Sequence, residues 1–138
     1  MKEWKVIEDP NVDIPQLGLL YESAPWSKGR SPDDIKRMLE NTDYVFSVRD
    51  GDMLVGFARV LTDKIYRATL WDVIVHPQRQ GQGIGEALLK AIVSHPVLSH
   101  VDRIWLNTHD KFLFYERFGF VRSDQGMTRD RTGGRGTS

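Results

Sequence analysis

The chain has 138 residues and a mass of 15.9 kDa, the size of one ordinary domain, which buries about two-thirds of the surface its unfolded form exposes. Lys plus Arg and Asp plus Glu number 19 each, so the formal charge is zero and nothing argues for wrapping nucleic acid or an anionic membrane. Cysteine is absent, which removes disulfides, thiolate catalysis and Cys-based metal sites, and no run approaches the ~20 apolar residues of a membrane span. A hydrophobic share of 40 % and a mean hydropathy of −0.42 suit a soluble core, expected in the cytoplasm or an equivalent reducing compartment.

Residues 4–7 read as a short strand, and Ile14, Leu17, Leu20 and Tyr21 recur at helical spacing between Pro15 and Pro25. A second helix starts clearly: Ser31 can cap, Pro32 suits the first helical position, and Asp33 and Asp34 face the positive end of the dipole. Its buried stripe is Ile35, Met38 and Leu39. Residues 44–48 and 53–61 predict two strands joined at Asp50-Gly51-Asp52, a tight-hairpin signal. Residues 69–75 are almost continuously apolar, the pattern of a central strand, and Pro77 ends them. Ile84, Ala87, Leu88, Ala91 and Ile92 define a one-sided helix that stops before Pro96. Residues 103–107 predict another strand, Phe112, Phe114, Tyr115 and Phe118 a short helix closed by Gly119, and Phe120 with Val121 the start of a last strand. The expected organisation is one domain over residues 1–127, a mixed sheet with helices on both faces, and an Arg/Gly-rich flexible tail at residues 128–138.

The segment Gln80-Gly81-Gln82-Gly83-Ile84-Gly85 falls between the central strand and a helix. Alternate glycines let backbone N–H groups converge, and the helix adds its positive end, so a phosphate or pyrophosphate is the natural guest. A triphosphate loop would need Lys then Ser or Thr where Glu86-Ala87 stand, and a dinucleotide fingerprint needs G-x-G-x-x-G rather than G-x-G-x-G. A loop whose glycines only permit a tight turn is the remaining alternative.

This segment resembles the pyrophosphate-gripping signature of the GCN5-related N-acetyltransferase (GNAT) family. Val73-Ile74-Val75 with His76-Pro77 resembles that family's fourth strand, and Phe114-Tyr115-Glu116-Arg117-Phe118-Gly119-Phe120 its C-terminal Tyr motif. Residues 68–77 with 80–83 are similar to the plastid and cyanobacterial branch that includes plant serotonin-type acetyltransferases, and Trp26-Ser27-Lys28-Gly29-Arg30 to a loop of bacterial members. The resemblance implies a mixed α/β fold with a mostly antiparallel sheet. It also implies acetyl transfer from acetyl-coenzyme A to a primary amine by direct attack in a ternary complex, without a metal. Val73, Ile74, Val75, Gln80, Gly81, Gln82, Gly83, Ile84, Gly85, Asn107 and Tyr115 would then hold the coenzyme.

Acetyl transfer needs an aligned amine, donors to the carbonyl oxygen and a proton for the leaving thiolate. Tyr115, with an ordinary pKa near ~10, reads either as that proton donor or as part of the aromatic core. Asp110 reads as the base or as a helix cap, and Asp72 as a base, a partner for the substrate ammonium or a buried structural acid. His109 is a further titratable group nearby, and water relays are an alternative to all three. Asn107 would bind the pantetheine arm or satisfy a strand end. Trp26 would wall the acceptor pocket, with Arg30 or Asp63 as a charge partner, or would pack on the core edge with Arg30 solvated. Expected acceptors are a small-molecule amine, aromatic among others, or a protein lysine or N-terminus. Outside enzymes, a coenzyme-A-binding regulatory module without turnover or a nucleotide-binding module would also use the loop. A homodimer is common in the family.

Overall fold

The computed structural model describes residues 2–131; residues 132–138, most of the expected tail, lie outside the described residues. The first strand, β1 (Val6–Glu8), leads into α1 (Ile14–Glu22), where Asp13 accepts the Gln16 N–H at 3.1 Å and Pro15 occupies the first turn. In α2 (Pro32–Glu40), Ser31 caps as its sequence predicts, accepting the Asp34 N–H at 3.1 Å. Strands β2 (Tyr44–Asp50) and β3 (Met53–Thr62) form the expected hairpin, with Gly51 at φ 61° in the turn. Then follow β4 (Arg67–Val75), α3 (Ile84–Val93), β5 (Arg103–Trp105) and α4 (Phe112–Glu116), and Gly119 closes the last turn at φ 91°.

The five strands run in the order β1-β2-β3-β4-β5, antiparallel throughout except for the parallel β4-β5 pair. Helices cover both faces. On one, α1 and α2 press Leu17, Leu20, Tyr21, Ile35 and Leu39 onto Val45, Leu54, Phe57 and Ile74. On the other, α3 presses Ile84, Leu88, Leu89 and Ile92 onto Phe46, Val48, Val55, Ala58, Val60 and Leu70. Each layer removes apolar surface from water at roughly 25 cal/mol per Å², and the sheet between them is buried on both sides.

Two irregularities position the site. The β4-β5 pairing covers only Arg67, Ala68 and Thr69 against Arg103, Ile104 and Trp105, so among the described residues no strand pairs with residues 70–75 of β4 on that side. Opposite β3, the register passes from Phe57↔Ile74 to Arg59↔Trp71, which inserts one extra residue into β4. That β-bulge puts Asp72 at φ 55°, a left-handed conformation that Asp tolerates better than branched residues do.

One expected element does not form. Phe120 and Val121 make no ladder: the Phe120 N–H turns back to the Tyr115 carbonyl at 3.4 Å, and no strand follows α4 among the described residues. β5 is only three residues long, and Val121 is followed by Arg122-Ser123-Asp124-Gln125-Gly126, with no alternation to bury. A cavity of about 860 Å³ is lined by both β5 and this segment.

Candidate active site

Beyond β4, the backbone turns through Pro77-Gln78-Arg79 and opens α3 with glycines in the left-handed region, Gly81 at φ 78° and Gly83 at φ 90°. Gly83 caps α3 without a side chain, so the first backbone N–H groups of a ten-residue helix have no side-chain acceptor there. A Cβ built on Gly81 meets no atom within 4 Å, so the loop is open on that side. Gln80 ties the loop to its strand by donating from Nε2 to the Val75 carbonyl at 3.3 Å, and the Trp4 indole N–H donates to the Gln82 carbonyl at 2.8 Å. Ile84 is a core residue. Gly85 serves packing, since its Cβ would stand 3.4 Å from the Phe114 ring. Phe114 on Gly85 and the Arg117–Glu86 ion pair at 3.3 Å dock α4 on the start of α3.

Tyr115, next to Phe114, is half-buried, with its ring edge-on to Phe114 at 5.1 Å and to Phe120 at 5.9 Å. Burial first and the Asp110 charge second push its phenol up to about 12, so it holds its proton throughout the physiological range. Tyr115 therefore belongs to the aromatic cluster and carries a phenol that stays protonated. Asn107, Thr108 and Tyr115 line one cavity, but Asn107 itself is exposed and lies beyond the last ladder pair. Lys111 occupies the N-cap of α4 with no side-chain cap hydrogen bond, so Asp110 does not cap the helix; Thr108 Oγ1 accepts the Lys111 N–H at 3.1 Å in the turn that leads into it. Asp110 and His109 are both exposed.

Asp72 is buried on the face covered by α1, and its Oδ2 accepts from the Tyr21 hydroxyl at 2.9 Å, Arg30 Nη1 at 2.9 Å and Arg59 Nε at 2.7 Å. Desolvation works to raise its pKa, but the two guanidinium groups prevail and hold the carboxyl below its ordinary value. All three bonds fall on Oδ2, and among the described residues Oδ1 accepts none; even so, a carboxylate held this low is a poor proton acceptor, and two guanidinium groups already meet its charge. Of the three expected readings, the geometry supports the buried structural acid. Tyr21, desolvated and facing the same carboxylate, is raised well above the ordinary phenol value.

Arg30 is half-buried rather than simply solvated: its guanidinium stacks 4.4 Å above the Tyr21 ring and lies 5.9 Å from the Trp26 ring while pairing with Asp72. Trp26 packs against the α1/α2 core layer. Asp63 is elsewhere, closing the β3–β4 turn by accepting the N–H groups of Ile65, Tyr66 and Arg67. Sequence reasoning passed over Arg59. Its signal was a lone cation inside the apolar run Val55-Gly56-Phe57-Ala58-Arg59-Val60-Leu61, which calls for a buried anion on a neighbouring strand. Among the described residues no group of three His, Asp or Glu side chains is placed to hold a metal ion, and no helix is long and apolar enough to cross a membrane.

Residues 41–122 match the family model of the acetyltransferase (GNAT) domain. The chain belongs to the GNAT acetyltransferase family. An N-acetyltransferase of the red alga Pyropia yezoensis, ycf52, described as uncharacterised, is 30 % identical over 131 residues, covering 91 % of this chain and 75 % of that protein. GCN5-related N-acetyltransferase 2, chloroplastic, of Arabidopsis thaliana is 36 % identical over 75 residues, 54 % of this chain and 29 % of its own length. A crystal structure of a GNAT-family acetyltransferase from Xanthomonas campestris pv. campestris superposes with a TM-score of 0.85 at 30 % identity, covering 96 % of each chain. This GNAT chain is thus an acetyltransferase, related to plastid and cyanobacterial members, with the mixed α/β architecture expected of it.

Proposed function

We propose that the protein transfers the acetyl group of acetyl-coenzyme A to a primary amine by direct attack in a ternary complex. The observation that carries this reading is the coincidence of the glycine-opened N-terminus of α3 with the free edge of β4. An anionic pyrophosphate suits the first, and an extended amide-bearing arm suits the second, where Val73, Ile74 and Val75 would pair with it. Acetyl-coenzyme A, when bound there, supplies an activated acyl group.

The chain's own groups then do the rest. Backbone N–H groups along residues 81–85 hold phosphate oxygens, and backbone donors at the bulge beside Val73 support the carbonyl oxygen as it becomes negative. As the new N–C bond forms and the C–S bond breaks, Tyr115 donates a hydrogen bond to the sulfur. With its phenol pushed up to about 12 against about 8.5 for an ordinary thiol, complete transfer would be uphill by roughly 5 kcal/mol. The phenol therefore stabilises the developing thiolate; the neutral amine attacks through its nitrogen lone pair, and the proton that this nitrogen loses as the amide forms balances the charge of the departing thiolate. Asp110, exposed and close enough for its charge to act on Tyr115, takes that proton directly or through water.

The chain's 138 residues include no cysteine, so an acetyl-cysteine intermediate is not available to it. The working compartment is the cytoplasm or, given relatives named chloroplastic, a plastid stroma. Initial rates measured while acetyl-coenzyme A and an amine are both varied should give intersecting double-reciprocal lines. Parallel lines would overturn direct attack.

A further inference from the structure

The cluster around Asp72 carries more positive charge than its buried carboxylate consumes. Arg30 and Arg59 both pair with the same oxygen, at 2.9 and 2.7 Å, so two guanidinium charges meet one carboxylate charge while Tyr21 stays neutral. Glu22, at the end of α1, keeps its negative charge, but it is exposed to water, its carboxylate accepts the Gly29 N–H at 2.6 Å, and among the described residues it forms no ion pair with Arg30 or Arg59. Each guanidinium has five N–H donors. Among the described residues, Arg59 uses only Nε and Arg30 only Nη1 in hydrogen bonds to this carboxylate, and no other acceptor engages the Arg59 terminal groups. These groups are not sealed in. The one buried side-chain polar atom without a partner among the described residues is a different one, Nε1 of Trp71.

Trp71 stands directly across the ladder from Arg59, so both side chains leave the sheet on the same face, the face of Asp72 and Tyr21. An unpaired buried indole N–H is costly unless something arrives to accept from it. Two half-used guanidinium forks, an orphaned indole donor and one surplus positive charge therefore share one face of the bulge. That bulge adjoins Val73, where the free edge of β4 is proposed to hold the acyl arm.

We infer that this cluster is an oxyanion subsite and that the acceptor is an amine bearing a carboxylate, recognised by the forks of Arg30 and Arg59 together with the Trp71 N–H. The inference rests on the acetyl-transfer reading above and specifies its substrate class. A planar carboxylate matches a guanidinium fork in two parallel hydrogen bonds, whereas a simple cationic amine would meet net repulsion here. Asp72 then acts as the anchor that holds both forks in place.

Matched pairs of acceptors test it: tyrosine with tyramine, lysine with cadaverine, and, for a phosphate as the source of the oxyanion, phosphoethanolamine with ethanolamine. The quantities read are kcat/KM for acetylation and, independently, the affinity of each compound for the protein by equilibrium titration. At least a tenfold preference for the carboxylated member in both readouts is expected. Arg59→Lys, which keeps the charge and loses the fork, and Trp71→Phe, which keeps the ring and loses the donor, should each reduce that preference at least threefold. Equal affinities within each pair, or a preference for the decarboxylated amine, would overturn the subsite, as would an unchanged preference in both variants. A preference confined to the phosphorylated pair would overturn the carboxylate assignment. Since the affinity readout needs no acetyl-coenzyme A, failure of the coenzyme to bind would strike the acetyl-transfer reading alone and leave the subsite separately judged.

Discussion

Asp72→Asn isolates the charge of the buried carboxylate. Asparagine has the same shape, tolerates the left-handed φ of 55° and can still accept from the Tyr21 hydroxyl. What it removes is the anion facing Arg30 and Arg59. Breaking a fully buried pair costs about 3–5 kcal/mol because the partner is left uncompensated. The Arg30 side chain is 34 % exposed and the Arg59 side chain 16 %, so water recovers part of that cost. A loss of about 2–3 kcal/mol at pH 7 is expected, or a fall in Tm of about 6–12 °C. The pH dependence has a defined sign. Since the folded-state pKa of Asp72 is lowered, its contribution is fully present above the unfolded value near ~3.9 and is lost as pH falls through the folded value. Urea denaturation of wild type and variant at several pH values should therefore show a gap that is constant near neutrality and narrows in acid. A loss below about 0.5 kcal/mol at pH 7, the range of ordinary surface substitutions, or a gap that does not narrow, would refute the charge argument.

Tyr115→Phe should lower kcat about 100-fold while the KM for acetyl-coenzyme A stays within about threefold, because the ring remains in its aromatic cluster and only the donor to sulfur is lost; steady-state kinetics decide it, and unchanged kcat would remove the phenol from the chemistry. Gly56→Ala should destabilise by about 1–3 kcal/mol, since a Cβ there would stand 2.5 Å from Ile84 Cγ2 at the contact between β3 and α3. Thermal unfolding checks this, and a neutral effect would mean that α3 is free to move away from the sheet.

Local chemistry was the legible part of this chain. Ser31 at the start of α2, Gly51 in its hairpin and Gly119 after α4 each act through their nearest neighbours, and each takes the role its sequence predicts. The stripe on α3 was also readable, because burial repeats with the helical period at Ile84, Leu88 and Ile92, although Leu89 joins the core while Ala87 and Ala91 are only half-buried. The glycine loop could be placed from its spacing and its position after an apolar strand.

What remained hidden depends on contacts distant in sequence. Asp72 stood out as an acid in an apolar strand, yet its role is set by Arg59, 13 residues away, and Arg30, 42 residues away, which no local pattern links. The choice between base, ammonium partner and structural acid turned on those two pairings. The Trp4 bond to Gln82, across 78 residues, is of the same kind. Phe120 and Val121 show the opposite failure: strand-forming side chains do not make a strand when the neighbouring edge, β5, offers only three residues.

The central claim is that the glycine-opened end of α3 and the free edge of β4 together form a coenzyme site. Calorimetric titration of the purified protein with acetyl-coenzyme A, with NAD and ATP as controls, tests it most directly. The account predicts saturable binding of acetyl-coenzyme A at micromolar concentration, no comparable binding of the controls, and loss of binding in a folded Gly83→Trp variant. No binding of acetyl-coenzyme A, a preference for NAD or ATP, or undiminished binding by that folded variant would contradict it.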